Sequence, residues 1–163
     1  MRVCHVAASN WVGGAAKASG RIHQSILDFG DKYDIESFMR VSEDGTSSEF
    51  IKKGRPQRNN LKYRLLAKLA SISNSSYQTP SPALHSFAWP DTGMGNELKG
   101  QKWDIVNLHW LGNNTISIEE IGFLAVPLVW TLHDQWAFCG AEHYEPFESD
   151  ALIPVTHRYR LGY

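Results

Sequence analysis

Arg2-Val3-Cys4-His5-Val6-Ala7, followed by Ser9-Asn10-Trp11-Val12-Gly13-Gly14, decides the fold class of this chain. The first six residues read as a short buried strand, and the stretch after them as a turn. A helix is expected over 15–29, where Ala15, Ala18, Ile22, Ile26 and Phe29 recur in steps of three and four and define one face. Gly30 fits the stop just past that helix. Residues 35–41 then read as a second strand. Strand, glycine turn, helix, strand is the opening of a doubly wound α/β domain.

A second unit lies downstream. Trp103-Asp104-Ile105-Val106-Asn107-Leu108-His109-Trp110 is a strand candidate. Residues 117–124 read as a short helix. There Ser117 and Glu120 have capping-box spacing, in which hydroxyl and carboxylate each satisfy a free backbone N–H. Pro127-Leu128-Val129-Trp130-Thr131-Leu132 is a further strand, ending abruptly at His133-Asp134. Strand, helix, strand over this length is a βαβ unit with an expected right-handed crossover. Together the two units predict an α/β, Rossmann-like, mostly parallel doubly wound sheet with helices on both faces. Between them the pattern is weaker. Loops are expected over 42–48, 52–60 and 73–82. Leu61, Leu65, Leu66 and Leu69 predict a helix over 60–73, and a brief strand is expected over 86–89. Beyond Tyr144 the pattern fades.

The 163 residues suit one domain able to bury a core, and 42% apolar with 20% charged residues excludes disordered and fibrous classes. A net charge of −1 gives no broad field for nucleic acid or an anionic membrane. No apolar run is long enough to span a bilayer, and the amino-terminal run is too short for a signal core. Cys4 and Cys139 stand far apart without metal-ligand spacing, which reads as reduced thiols in a cytoplasmic protein.

Ligands of open parallel sheets bind outside the carboxyl ends of the strands, and three features fall there. Gly13-Gly14 can be a plain tight turn, or a loop whose backbone approaches a phosphate at a helix N-terminus. His109-Trp110 and His133-Asp134 each end a strand. A histidine in that position is either a satisfied structural residue, or one that bonds a sugar hydroxyl or acts as acid or base near neutral pH. Two at one edge beside a glycine loop favour the functional reading for His133. Trp103, Trp110 and Trp130 are core candidates, whereas Trp136, after the polar His-Asp pair, is expected at the cleft with its face open to a sugar ring. A zinc site from His109, His133, His143 and Asp134 lacks a dense ligand motif, and none is expected. The run Lys52-Lys53-Gly54-Arg55 with Arg58 reads as a solvated loop, or as a contact for a phosphate or an anionic lipid-linked acceptor.

Asp104-Ile-Val-Asn-Leu-His-Trp110, Ile116-Ser-Ile-Glu-Glu-Ile121 and Pro127-Leu-Val-Trp-Thr-Leu-His-Asp-Gln-Trp-Ala-Phe138 resemble family 4 glycosyltransferases, with the flavour of the bacterial exopolysaccharide, colanic-acid-type group. Arg2-Val-Cys-His-Val6, Gly13-Gly-Ala-Ala16 and Arg21-Ile-His-Gln24 are similar to that family's first strand and helix. The resemblance covers the two ends of the domain and not the middle. It implies a GT-B enzyme, whose two Rossmann-like domains face a cleft. Residues 1–163 would form the amino-terminal, acceptor-side domain, with the donor-binding domain absent. Gly13 and Gly14 would meet the donor diphosphate, and His133 would stand by the transferred sugar as the catalytic histidine. His109, Trp110, Asp134 and Trp136 are the acceptor- or sugar-binding candidates. The nucleotide-sugar is a substrate; no cofactor and no metal are implied. The expected partners are that donor, a saccharide or lipid-linked acceptor, and no nucleic acid. Contact with the inner membrane face, and self-association through surface meant for the missing half, are expected as well. The tail Ala151-Leu-Ile-Pro-Val155 is a candidate for such surface. Where relatives carry Gly-Gly-Cys-His-Tyr, this chain has Gly140-Ala-Glu-His-Tyr144, so a cysteine-based structural site is not expected there. The competing reading is a standalone saccharide- or nucleotide-binding module without catalysis.

Overall fold

The computed structural model describes residues 1–43, 48–54, 60–76, 85–138 and 143–144. Five strands form one sheet: β1 (Arg2–Ala7), β2 (Glu36–Val41), β3 (Ile51–Lys53), β4 (Ile105–Leu108) and β5 (Leu128–Trp130). Their order is β3-β2-β1-β4-β5, and every pairing is parallel. The helices are α1 (Gly14–Phe29), α2 (Leu61–Ser76), α3 (Met94–Lys99) and α4 (Ile118–Gly122), with a 3₁₀ turn at Gly30–Tyr33. This is an α/β, Rossmann-like arrangement. No helix among the described residues is long and apolar enough to cross a membrane.

β1 is central because residues 3–7 are buried on both sides, as an interior parallel strand requires. Its two faces differ in chemistry. Cys4 and Val6 join Val106 and Leu108 of β4 in an apolar core under α3 and α4, completed by Met94, Leu98, Leu111, Ile116 and Trp136. The opposite face carries His5, register-paired with Met39 and Asn107, and lies under α1. The edge strands β3 and β5 are three residues each and partly exposed, which limits the open hydrogen-bonding edge.

The strand–glycine turn–helix opening and the β4-α4-β5 unit fall where the sequence puts them. The inward face of α1 does not. Its buried residues are Ala16, Ser19 and His23, while Phe29 points to solvent. Ser19 donates to the Ala16 carbonyl, and His23 Nδ1 meets Ser37 Oγ at 2.7 Å. At His23 the helix therefore rests on a polar contact with β2 that a count of apolar residues misses. Gly30 ends α1 with ordinary right-handed φ (−66°); the left-handed residue is Asp34, after the 3₁₀ turn. A side chain at Gly30 is excluded for another reason: its Cβ would collide with the Ile35 carbonyl oxygen.

Three further differences concern the middle of the chain. Lys52 and Lys53 belong to β3 rather than to a loop, and 55–59 lie outside the described residues. Residues 86–89 form no strand; Ala88 takes φ 48°, which breaks extended backbone, and Phe87 stacks on Trp89 at 4.8 Å. α3 was not expected at all. Its anchor is Glu120, which closes the capping box with Ser117 and accepts from Thr92 N, Thr92 Oγ1 and Gly95 N at 2.9–3.0 Å. Cys139 and the tail at 151–155 lie outside the described residues.

Candidate functional site

The strand order reverses about β1, which has β2 on one side and β4 on the other. A crevice opens outside the carboxyl ends at such a point. Here it is a cavity of about 460 Å³, lined by the residues after β1 (Ser9, Val12, Gly13, Gly14), by Ala15 and Ala16 of α1, and by Glu43, Trp110, Asn113, His133 and Tyr144.

The loop is built for close approach. Ser9 Oγ accepts from Trp11 N and Val12 N, which turns the chain sharply after β1. Gly13 has φ 92°, a conformation rarely open to residues with a Cβ, and its carbonyl accepts Lys17 N at 3.1 Å as the first helical bond. The N–H groups of Gly14, Ala15 and Ala16 precede that bond and have no intrahelical acceptor. No side chain among the described residues caps them, and the first turn carries no acid. A Cβ at Gly14 would meet no atom within 4 Å, so packing does not demand this glycine.

His133 reaches the same cavity, but it is the outer member of a chain of three imidazoles. His5 Nδ1 lies 3.0 Å from His109 Nε2, and His109 Nδ1 lies 3.1 Å from His133 Nε2. His5 and His109 are buried. Burial first, and then the neighbouring imidazoles, push His109 down to about 3 and His5 to about 4. Burial also lowers His133, against the opposing pull of Asp134. Neutral imidazoles carry one N–H each, so the two bonds must run in one sense. His5 Nε2 has no hydrogen-bond partner among the described residues. One sense leaves a bare lone pair there, and the other leaves a buried N–H. Orphaned donors are the rarer and costlier case. The favoured sense therefore runs from His5 through His109 to His133, and leaves His133 with its N–H on Nδ1, away from the chain.

His109 is thus placed behind the cavity rather than in it, with both ring nitrogens engaged. Trp136 and Asp134, expected at the sugar, are also engaged elsewhere. Trp136 is 5% exposed, sits in the core, and donates to the Ser86 carbonyl at 2.8 Å. Asp134 accepts from Trp136 N and pairs with His143 Nδ1 at 2.5 Å, while His143 Nε2 meets Ser86 Oγ at 2.9 Å. Carboxylate, imidazole and hydroxyl stand in the order of a nucleophilic triad. However, His143 has no exposed surface and stacks on Trp136, so no leaving group can reach its ring. The trio is a staple between segment 86 and the end of β5. Trp110 does line the cavity, with its indole nitrogen 3.2 Å from His143 Nδ1.

The structure adds Glu43, Asn113 and Ser9 to the cavity. Asn113 Nδ2 donates to Glu43 Oε1 at 2.7 Å, which fixes the carboxylate at the rim. Each of the three follows the carboxyl end of a strand, so the rule that selects Gly13 and His133 selects them too once β1, β2 and β4 are bounded. No group of three or more His, Cys, Asp or Glu among the described residues is arranged to hold a metal ion.

Fold and crevice define a Rossmann-like α/β domain with an open site at its topological switch point. No protein-family model, no curated protein and no solved structure matches the chain.

Proposed function

We propose that the chain is the amino-terminal, acceptor-side part of a GT-B glycosyltransferase. It would work with a nucleotide-sugar donor and a saccharide or lipid-linked saccharide acceptor, in polysaccharide assembly on the cytoplasmic side of a membrane. One observation carries this reading: Gly13, Gly14 and His133, far apart in sequence, line a single cavity at the switch point. Free N–H groups and the positive end of a 16-residue helix suit the donor diphosphate. His133, with Nδ1–H outward, suits an oxygen of the transferred sugar, and the Glu43 carboxylate suits a hydroxyl. Three of the sugar-binding candidates take other roles: His109 acts through His133, and Trp136 and Asp134 support the site from behind.

The second reading, a standalone binding module, draws on the cavity's size. About 460 Å³ lined wholly by this chain lies within the range of small-molecule sites. Affinity separates the two. The chain is titrated with UDP, GDP and their sugar conjugates while backbone amide NMR signals are followed. The transferase part should bind weakly, with Kd on the order of millimolar, and shift the amides of Gly13, Gly14 and Ala15 together with His133. Micromolar binding by the chain alone would favour the module. Saturation without any shift at the glycine loop overturns both.

A further inference from the structure

The outward face of α2 is the wrong chemistry for water, and we propose that it docks on an anionic lipid bilayer. Tyr63, Leu66, Ala67 and Ala70 form the less exposed side of the helix. Ala67 and Ala70 line a small cavity with Ser86 and Asn113, which sets the inward direction. Leu61, Leu65 and Leu69 recur every four residues on the other side and are 79%, 59% and 50% exposed. A helix whose task is only to cover one loop would carry polar residues there.

Charge identifies the surface that covers this stripe. Lys62 borders the leucines on one side, Arg64 and Lys68 on the other, and all three are exposed. The 16 residues contain no Asp or Glu. The chain as a whole carries −1, so the positive charge is local to this element. Apolar side chains flanked by cations on both edges is the pattern of a helix lying in a membrane interface. The leucines enter the acyl boundary and the long basic side chains reach phosphate. A second copy of the same face would bring like charges together. Asn113 borders both the cavity under α2 and the crevice. Docking through α2 therefore holds the crevice beside the lipid surface, where a lipid-linked acceptor would be reached. The docking itself is independent of any transfer reaction.

Co-sedimentation with vesicles tests this without an activity assay. The whole chain is spun with phosphatidylcholine vesicles, with and without about one third phosphatidylglycerol, at low and high salt. Binding to the anionic vesicles should exceed binding to the neutral ones by roughly ten-fold or more, and fall with salt. Leu65→Asp with Leu69→Asp, and separately Lys62→Glu with Lys68→Glu, should each reduce it by about ten-fold or more. These side chains are exposed, and circular dichroism reports that the fold is kept. Equal binding to both vesicle types, or variants that bind like the parent, overturns the proposal. So does a dimer in light scattering that Leu65→Asp disperses while vesicle binding is absent.

Discussion

His109 uses both ring nitrogens on other histidines, so neither can gain or lose a proton without breaking a bond. The tautomer of His133 is then set from inside the sheet rather than by solvent. Imidazole ¹⁵N shifts at neutral pH should show His133 protonated on Nδ1 and bare on Nε2. In His109→Leu that single form should give way to exchange between both. Finding the proton on Nε2 of His133 would mean that the chain runs the opposite way, with a buried N–H left on His5. The two glycines of the loop make a second prediction, because they are there for different reasons. Gly13→Ala must hold φ near 92° against its own Cβ and should cost about 1 kcal/mol or more in urea unfolding. Gly14→Ala occupies open space at a helical position and should be neutral or gain a few tenths of a kcal/mol. If Gly14 serves a ligand, the same substitution should nevertheless weaken nucleotide diphosphate binding. A gain in stability with unchanged ligand shifts would assign Gly14 no such role.

At the scale of elements, α3 and α4 depend on one carboxylate. Burial alone would raise Glu120, but the N–H groups of Thr92, Ser117 and Gly95 and the Thr92 hydroxyl outweigh it and hold the carboxyl below its usual range. Glu120→Gln turns an NH₂ toward donors and should destabilise by roughly 2–4 kcal/mol, read as a fall in the urea midpoint at unchanged slope. The capping box was legible, since Ser117 and Glu120 are three apart before an apolar run. Its further partners were not, because Thr92 and Gly95 are distant in sequence and lie just before and within a six-residue helix too short to show a period. The same limit explains α1. Periodicity identifies the helix, yet the apolar face at Ala15, Ala18, Ile22, Ile26 and Phe29 is not the inward one, because His23 looks like a solvent residue until His5 and Ser37 are opposite it. Trp136 failed in the other direction. Polar neighbours at 133–134 implied a cleft position, but Asp134 is consumed by His143 and the indole finds the Ser86 carbonyl in the core. The crevice itself was legible because it follows from topology alone, the carboxyl ends of parallel strands.

For the whole molecule, the two faces of the sheet respond differently to acid. His5 and His109 have folded pKa values near 4 and 3, below the 6.5 of an ordinary histidine. The unfolded chain therefore binds protons that the folded chain refuses as the pH falls below about 6.5. Stability contributed by their neutral state is complete above that value and is lost progressively toward pH 4 and then pH 3. The slope is about 1.4 kcal/mol per pH unit for each histidine. Thermal unfolding should shift down by roughly 5–10 °C between pH 6 and pH 5; a flat profile there would remove the neutral imidazole chain from the account. The loss is also lopsided. His5 and His23, both lowered by burial, meet on the α1 face, where His23 of α1 also bonds Ser37, whereas the cluster beneath α3 and α4 is apolar, with His143 stacked on its Trp136. The sheet is thus a laminate with one acid-soluble bond line. Hydrogen exchange near pH 5 should release the amides of α1 before those of β4 and α4. The first part to peel away would be the helix that carries the glycine loop, and the crevice would open into solvent while most of the fold still stood.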